Sequence, residues 1–230
     1  MQRYLPFSAF LNRYFDGKIQ KITIDAGFSC PNRDGFISSG GCIYCNNRSF
    51  SPGFTAEKRD IARQMEEGKR FFMRKYPEMK YLAYFQSFTN TYAPVSRLKQ
   101  LYEEALDVDD VVGLVIGTRP DCVSDELLHY LAELRRRHFV MMEYGVESTD
   151  DAVLRRINRG HDYACAVEAV RRTAAAGLPV GIHLILGLPG ESADHVCRVA
   201  GEVSALPVDI VKLHQLQIIK GTPLAREYQE

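Results

Sequence analysis

Six short apolar runs, rich in β-branched and aromatic residues, recur along the chain. They are KITID near residue 21, YLAYF near 81, VVGLVI near 111, FVMMEYGV near 139, PVGIHLIL near 179 and DIVKLHQLQII near 209. Between them the apolar positions shift to helical spacing. TAEKRDIARQMEEGKRFFMRKY places Ile61, Met65 and Phe72 on one face. SDELLHYLAELRRR opens on Ser124, with Asp125 and Glu126 in a first turn where acidic groups suit the helix dipole. Similar helix starts follow Thr149 and Ser192.

Strands alternating with helices predict βαβ units, hence an α/β chain with a parallel sheet and right-handed crossovers. An open doubly wound sheet and a partial (β/α)6 TIM-like barrel both satisfy this pattern, and periodicity does not separate them. Both put their chemistry at the carboxyl ends of the strands. The unusual polar residues cluster there: Gln86 to Asn90, Thr118 and Arg119, Glu147 and Ser148, and Gly187 to Glu191.

Composition narrows the setting. The 230 residues suit a single domain with a substantial core, and 29 basic against 29 acidic residues create no global field towards nucleic acid or membrane. No apolar run is long enough to span a bilayer. The N-terminus is broken by Arg3, Pro6, Asn12 and Arg13, so it lacks the apolar stretch of a signal peptide. A cytoplasmic location is expected, where clustered cysteines bind metal or do chemistry rather than form disulfides. Cys122, Cys165 and Cys197 are scattered singly and are expected to be buried small hydrophobes. The final GTPLAREYQE reads as the opening of a sixth helix, with a C-terminal extension expected to be lacking.

The segment CPNRDGFISSGGCIYCNN, after the first predicted strand, carries Cys30, Cys42 and Cys45. Three thiolates suit a 4Fe–4S cluster that keeps one iron for another ligand. A structural zinc wants a fourth protein ligand, and His129 is the first histidine after Cys45, so zinc stays open only through a distant residue. A redox pair would use Cys42 and Cys45 and leave Cys30 unexplained. Gly35, Gly40 and Gly41 supply the backbone freedom of a tight wrap.

Seven blocks, in order, carry a resemblance: DAGFSCPNRDG, GGCIYCNN, YFQSFTNTYAP, IGTRPDC, GVES, RINRGH and HLILGLPGE. Together they resemble the radical S-adenosylmethionine (SAM) superfamily, within it a YhcC/YtqA-like family related to the radical-SAM domain of the Elongator catalytic subunit. The resemblance implies that Cys30, Cys42 and Cys45 hold the cluster and that SAM chelates its open iron. Gln86 and Thr89 stand where the superfamily has a Gly-Gly-Glu motif, absent here, that meets the SAM amino group. Glu143 and Glu147 fall to the ribose and SAM contacts, and Arg159 to the SAM carboxylate. The run Leu184 to Leu188 falls to the adenine, with the backbone near Tyr44 at its amino edge. The implied activity is reductive cleavage of SAM to a 5′-deoxyadenosyl radical that takes a hydrogen atom from a substrate.

The Elongator kinship implies tRNA, through a modified wobble uridine, as the substrate. A small metabolite or a peptide is the alternative, and a non-catalytic zinc-bearing scaffold is the alternative of another class. The implied partners are a reductant such as flavodoxin or ferredoxin, tRNA, and a partner modification enzyme, with no membrane.

Elsewhere, His183 and His214 lie on the fifth and sixth predicted strands, open to a general-acid, substrate-binding or core role. Lys212 shares the parity of His214, so both are expected to face one lumen. The clusters Arg135 to Arg137, Arg171 with Arg172, and Lys69, Arg70, Arg74 with Lys75 are expected on solvated helix faces. Tyr92 falls beyond the second strand, where it could stack on a base.

Overall fold

The computed structural model describes residues 4–46, 60–74 and 78–229. Six strands form one sheet: β1 (Lys18–Ile24), β2 (Met79–Phe85), β3 (Val111–Thr118), β4 (Phe139–Glu147), β5 (Val180–Leu186) and β6 (Ile210–Gln215). All five pairings are parallel, and the spatial order is the sequence order. A doubly wound sheet must reverse its strand order partway. This one never does, so it curls continuously into a half-barrel, and the sequence ambiguity resolves towards the partial barrel.

The helices are α1 (Phe7–Leu11), α2 (Ile61–Met73), α3 (Val95–Leu106), α4 (Asp125–Leu134), α5 (Asp151–Arg156), α6 (Tyr163–Ala175), α7 (Ala193–Ser204) and α8 (Pro223–Glu227). Local chemistry fixes where several begin. The Ser124 side chain accepts from Leu127 N at α4, and Ser192 from His195 N at α7. At α5 the cap is Asp150 rather than Thr149, because the Asp150 carboxylate reaches the amides of Ala152 and Val153.

The outer face of the sheet buries Ile22, Tyr81, Leu114, Met142 and Ile182 against Met65, Leu98, Leu131, Val170 and Val199 of the helices. On α2, Ile61 and Met65 are buried and Phe72 packs at the edge, as the spacing predicts. Residues 55–59, 75 and 76 of that predicted stretch lie outside the described residues. Lys69 departs from its expected solvated face. It is buried, with Nζ donating to Asp109 O at 2.8 Å and pairing with Glu66 at 3.0 Å. Its long stem lets the ammonium cross the α2 surface to those oxygens. Arg172 is also engaged, 2.6 Å from Asp125.

The inner face is layered. At the amino ends of the strands, Leu82, Val115 and Met141 meet Phe10 and Leu11 of α1, which close the lumen with an apolar plug. Above it lies a charged layer, and above that the carboxyl ends open into a cavity. The far edge is less covered: Val211 and Leu213, on the outer face of β6, are exposed. The sixth strand is also shorter than its apolar run, since Leu216 to Ile219 leave the sheet after one last bond from Leu216 N to Leu186 O. Among the described residues, no helix is long and apolar enough to cross a membrane.

Candidate active site

A cavity of about 270 Å³ opens at the carboxyl ends of the strands. Cys30, Cys42, Tyr44, Cys45, Gln86, Thr89, Glu143, Glu147 and Arg159 all line it. Five segments separated by up to 129 residues thus converge on one space, and the fold rather than local sequence brings them there.

The cysteine loop is anchored at its entry and at its floor. At the entry, the buried Gln64 of α2 clamps Asp25, accepting from its N–H at 2.9 Å and donating to its carbonyl at 2.8 Å. Within the loop, Arg33 N and Asp34 N donate to Cys30 O, Gly41 N to Asn32 O, and Cys45 N to Cys42 O. The floor comes from the turn after α5. Asn158 Nδ2 donates to Gly41 O at 2.9 Å, Asn32 Nδ2 to Asn158 O at 2.6 Å, and Ile43 N to Ile157 O at 3.0 Å. On a second side, Leu224 N at the start of α8 donates to Ile43 O.

The thiols receive N–H donors. Asn32 Nδ2 and Arg159 Nη1 each approach Cys42 Sγ at 3.6 Å, and Arg33 Nη1 approaches Cys45 Sγ at the same distance. Burial, reinforced by Cys42, pushes the Cys45 thiol up from its ordinary value, with Arg33 opposing. Burial also holds the Tyr44 phenol well above its ordinary range.

Arg159 does more structural work than its sequence assignment implies. Its guanidinium is buried, donates to Gly145 O and Cys42 Sγ, and lies 3.6 Å from Glu147 Oε1. Gly145 makes this approach feasible: a Cβ there would stand 2.8 Å from Arg159 Nη2 and 2.6 Å from Glu147 Oε1. The Arg159 carbonyl accepts from Arg119 Nη1 at 2.9 Å, and Arg119 is held in turn by Asp121.

Backbone strain gathers at the same place. Among the described residues four non-glycines have positive φ, and Phe88, Glu147 and Asn158 of these border the cavity or the cysteine loop. Left-handed non-glycine residues cost energy and persist where surrounding contacts fix them. β4 also carries a register shift between Gly145 and Glu147, yet Glu143 and Glu147 still line the same cavity. After β5, Glu191 Oε2 accepts from Gly187 N and Leu188 N, both at 3.0 Å. The same carboxylate meets Ser148 Oγ and His195 Nε2, so it ties the loop after β5 to the end of β4.

Two placements differ from the sequence expectations. Leu188 is buried among Val153, Leu154 and Ile157, with Ile43 and Tyr44 beside it, and it is Ile185, on β5 itself, that lines the cavity. Leu184 likewise points into the outer core, because alternation along β5 gives the lumen the opposite parity. Cys122 and Cys165 are half-buried and Cys197 is exposed, so they are not the buried small hydrophobes expected. Cys197 falls on the side of α7 opposite His195, Val199 and Val203. Sequence reasoning missed Asn32, Asn158 and Lys21 altogether. Lys21 carried a signal, a lone charge inside an apolar strand run, whereas the asparagines carried none.

The donor set fits an iron–sulfur cluster and a polar ligand beside it. Cys30, Cys42 and Cys45 face one cavity, yet no three His, Cys, Asp or Glu side chains among the described residues stand close enough to hold a single ion. A multi-iron cluster needs no such convergence, since each thiolate takes a different iron. Thr89 Oγ1 is buried at the cavity wall without a protein partner, and Arg159 Nε and Asn32 Oδ1 are unpartnered nearby. Buried polar atoms of this kind call for a bound partner.

The chain is similar to several known proteins. YtqA of Bacillus subtilis is 39% identical over 229 residues, covering 100% of this chain and 71% of its own. YhcC of Escherichia coli K12 is 41% identical over 97% of this chain and 71% of its own. A tRNA uridine(34) acetyltransferase of Methanocaldococcus infernus is 30% identical over 53% of this chain and 24% of its own length. Among solved structures, Elp3 of the same archaeon, with an N-terminal deletion, superposes with a TM-score of 0.66 at 18% identity. That alignment covers 92% of this chain but 49% of the Elp3 chain, so this chain spans about half its length. The model of the Radical SAM superfamily matches residues 34–203. The half-barrel with its three-cysteine loop belongs to the radical SAM superfamily, and the chain is an enzyme of that class.

Proposed function

We propose that Cys30, Cys42 and Cys45 hold a 4Fe–4S cluster and that SAM occupies the cavity beside it. The reaction would act on a tRNA, at the side chain of a modified wobble uridine. The observation that carries the cofactor reading is the convergence of three cysteines and unpartnered polar atoms on one cavity. The substrate reading rests on partial similarity to tRNA uridine(34) acetyltransferases and on the half-barrel shared with Elp3.

When bound, cluster and SAM would supply one-electron radical chemistry for removing a hydrogen atom from the substrate. The chain's own residues position and shield. Thr89 Oγ1 and the Gln86 amide would offer hydrogen bonds to the SAM amino group, and Glu147 would meet its ribose. Arg159 holds Cys42 and Glu147 in place and offers its unpartnered Nε to a carboxylate. The apolar plug of Phe10, Leu11 and Met141 closes the far end of the lumen against water. A reductant such as flavodoxin or ferredoxin supplies the electron, and a partner modification enzyme acts on the same nucleoside.

Anaerobic reconstitution with iron and sulfide tests the cofactor reading. A brown protein that loses its cluster in the Cys30→Ala, Cys42→Ala or Cys45→Ala variant is expected, releasing 5′-deoxyadenosine with dithionite and SAM. A colourless protein retaining one zinc would sink it. Nucleoside mass spectrometry of tRNA from a deletion strain tests the substrate, and an unchanged wobble-uridine profile would turn attention to a small metabolite or peptide.

A further inference from the structure

The charged layer of the lumen holds more positive charge than its own carboxylate meets. Every strand except β3 contributes. β1 supplies Lys21, β2 Tyr84, β4 Glu143, β5 His183, and β6 both Lys212 and His214. Glu143 is already committed on both oxygens: Oε1 to Lys21 Nζ at 2.9 Å and Oε2 to His183 Nε2 at 2.8 Å. Glu147, the next carboxylate up the wall, is turned to Arg159 at 3.6 Å. Lys212 is left with a 3.4 Å hydrogen bond to the Tyr84 hydroxyl and the face of that ring. His214 lines the cavity with its ring 5.4 Å from that of His183.

We propose that Lys212 and His214, with His183 beside them, form a subsite for a small anionic group of the substrate, a carboxylate or a phosphate. The proposal rests on the cavity being the site of the radical reaction. Both residues stand on β6, the edge strand, so a group entering from the open side of the half-barrel meets them first. An anion there would make charge-assisted bonds in a partly desolvated space, where they are strongest. Burial and the neighbouring Lys21 already lower the Lys212 ammonium from its ordinary value, while Glu143 opposes. Burial, Lys212 and His183 do the same to His214. An anion would relieve both.

The test titrates sodium acetate, and separately inorganic phosphate, into the full chain with labelled histidines, following the imidazole signals by NMR. It is run on the cluster-free protein and on the reconstituted protein with SAM. Saturable shifts of His214 and His183 are expected with one anion in both forms, acetate assigning a carboxylate and phosphate a phosphoryl group. Lys212→Met should weaken binding about tenfold, equal to about 1.4 kcal/mol, and Lys212→Arg by less than about threefold. Should Lys212→Met lose cooperative urea unfolding, His214→Gln is read instead, with weakening of about fivefold expected. Absence of binding by either anion, or equal binding by the variants, overturns the proposal. So does displacement of the anion by SAM, which would make these residues a site for SAM's own carboxylate. Because the cluster-free chain is read separately, a failure to assemble the cluster counts against the cofactor reading, while the anion titration alone decides whether Lys212 and His214 bind an anion.

Discussion

Glu143 sits 2% exposed between an ammonium and an imidazole, and its ionisation governs the lumen. Burial would raise its carboxyl, but the His183 hydrogen bond and Lys21 outweigh it and hold it well below the usual carboxylate range. A depressed carboxyl adds stability that is present above the unfolded value, about 4.3, and is lost as pH falls below it. Glu143→Gln is therefore expected to cost about 3 kcal/mol at neutral pH, because it strands Lys21 without its charge partner. Urea unfolding should show wild type and variant converging in acid. His161, two residues after Arg159, works the other way round. Burial, with Arg159 next, lowers its imidazole from 6.5 to about 4. It is neutral in the folded chain, so stability is full above about 6.5 and falls as pH drops from there towards 4. His161→Gln should flatten that limb in thermal melts recorded across the same window.

Among the elements, α2 and its contact with β1 set two effects against each other. Gly68 lies in the middle of α2, where Ala would gain about 1 kcal/mol of helix propensity. A Cβ there would stand 2.4 Å from Ile22 Cγ2, a side chain buried in the core. Overpacking of that kind costs about 1–3 kcal/mol, so Gly68→Ala should destabilise on balance by about 1 kcal/mol in urea titration. The same helix shows what the sequence discloses. Ile61, Met65 and Phe72 were legible because burial repeats with the helical period, and Ser124 and Ser192 because a cap is local chemistry. Lys69 was not legible, since its partners Glu66 and the Asp109 carbonyl lie on the helix and across a loop. The cysteine loop was legible as a candidate ligand set, but its structure was not. Its supports, Asn158 and Gln64, are set by tertiary approach and leave no periodic trace.

At the scale of the whole molecule, the six strands and their parallel sense were readable from alternation, while curl into a half-barrel was not. That depends on strand order, which a periodic pattern does not encode, and the seven motif blocks pointed to it only by resemblance. The uneven cover of the sheet has a measurable result. Leu213 is 60% exposed, so Leu213→Lys should change the unfolding free energy by no more than about 0.5 kcal/mol. The buried Leu114 should lose about 3 kcal/mol on truncation to Ala, and urea denaturation separates the two. The long reach of the cysteine loop's anchors also sets a schedule for biogenesis. The last cysteine is residue 45, but the loop's floor arrives with Asn158 and its side support with Leu224. At about 5–20 residues per second, a nascent chain exposes its three thiols for roughly ten to thirty seconds before their cradle exists. Under the proposed cluster assignment, iron delivery waits until Leu224 has been made, and an early oxidant meets the thiols first.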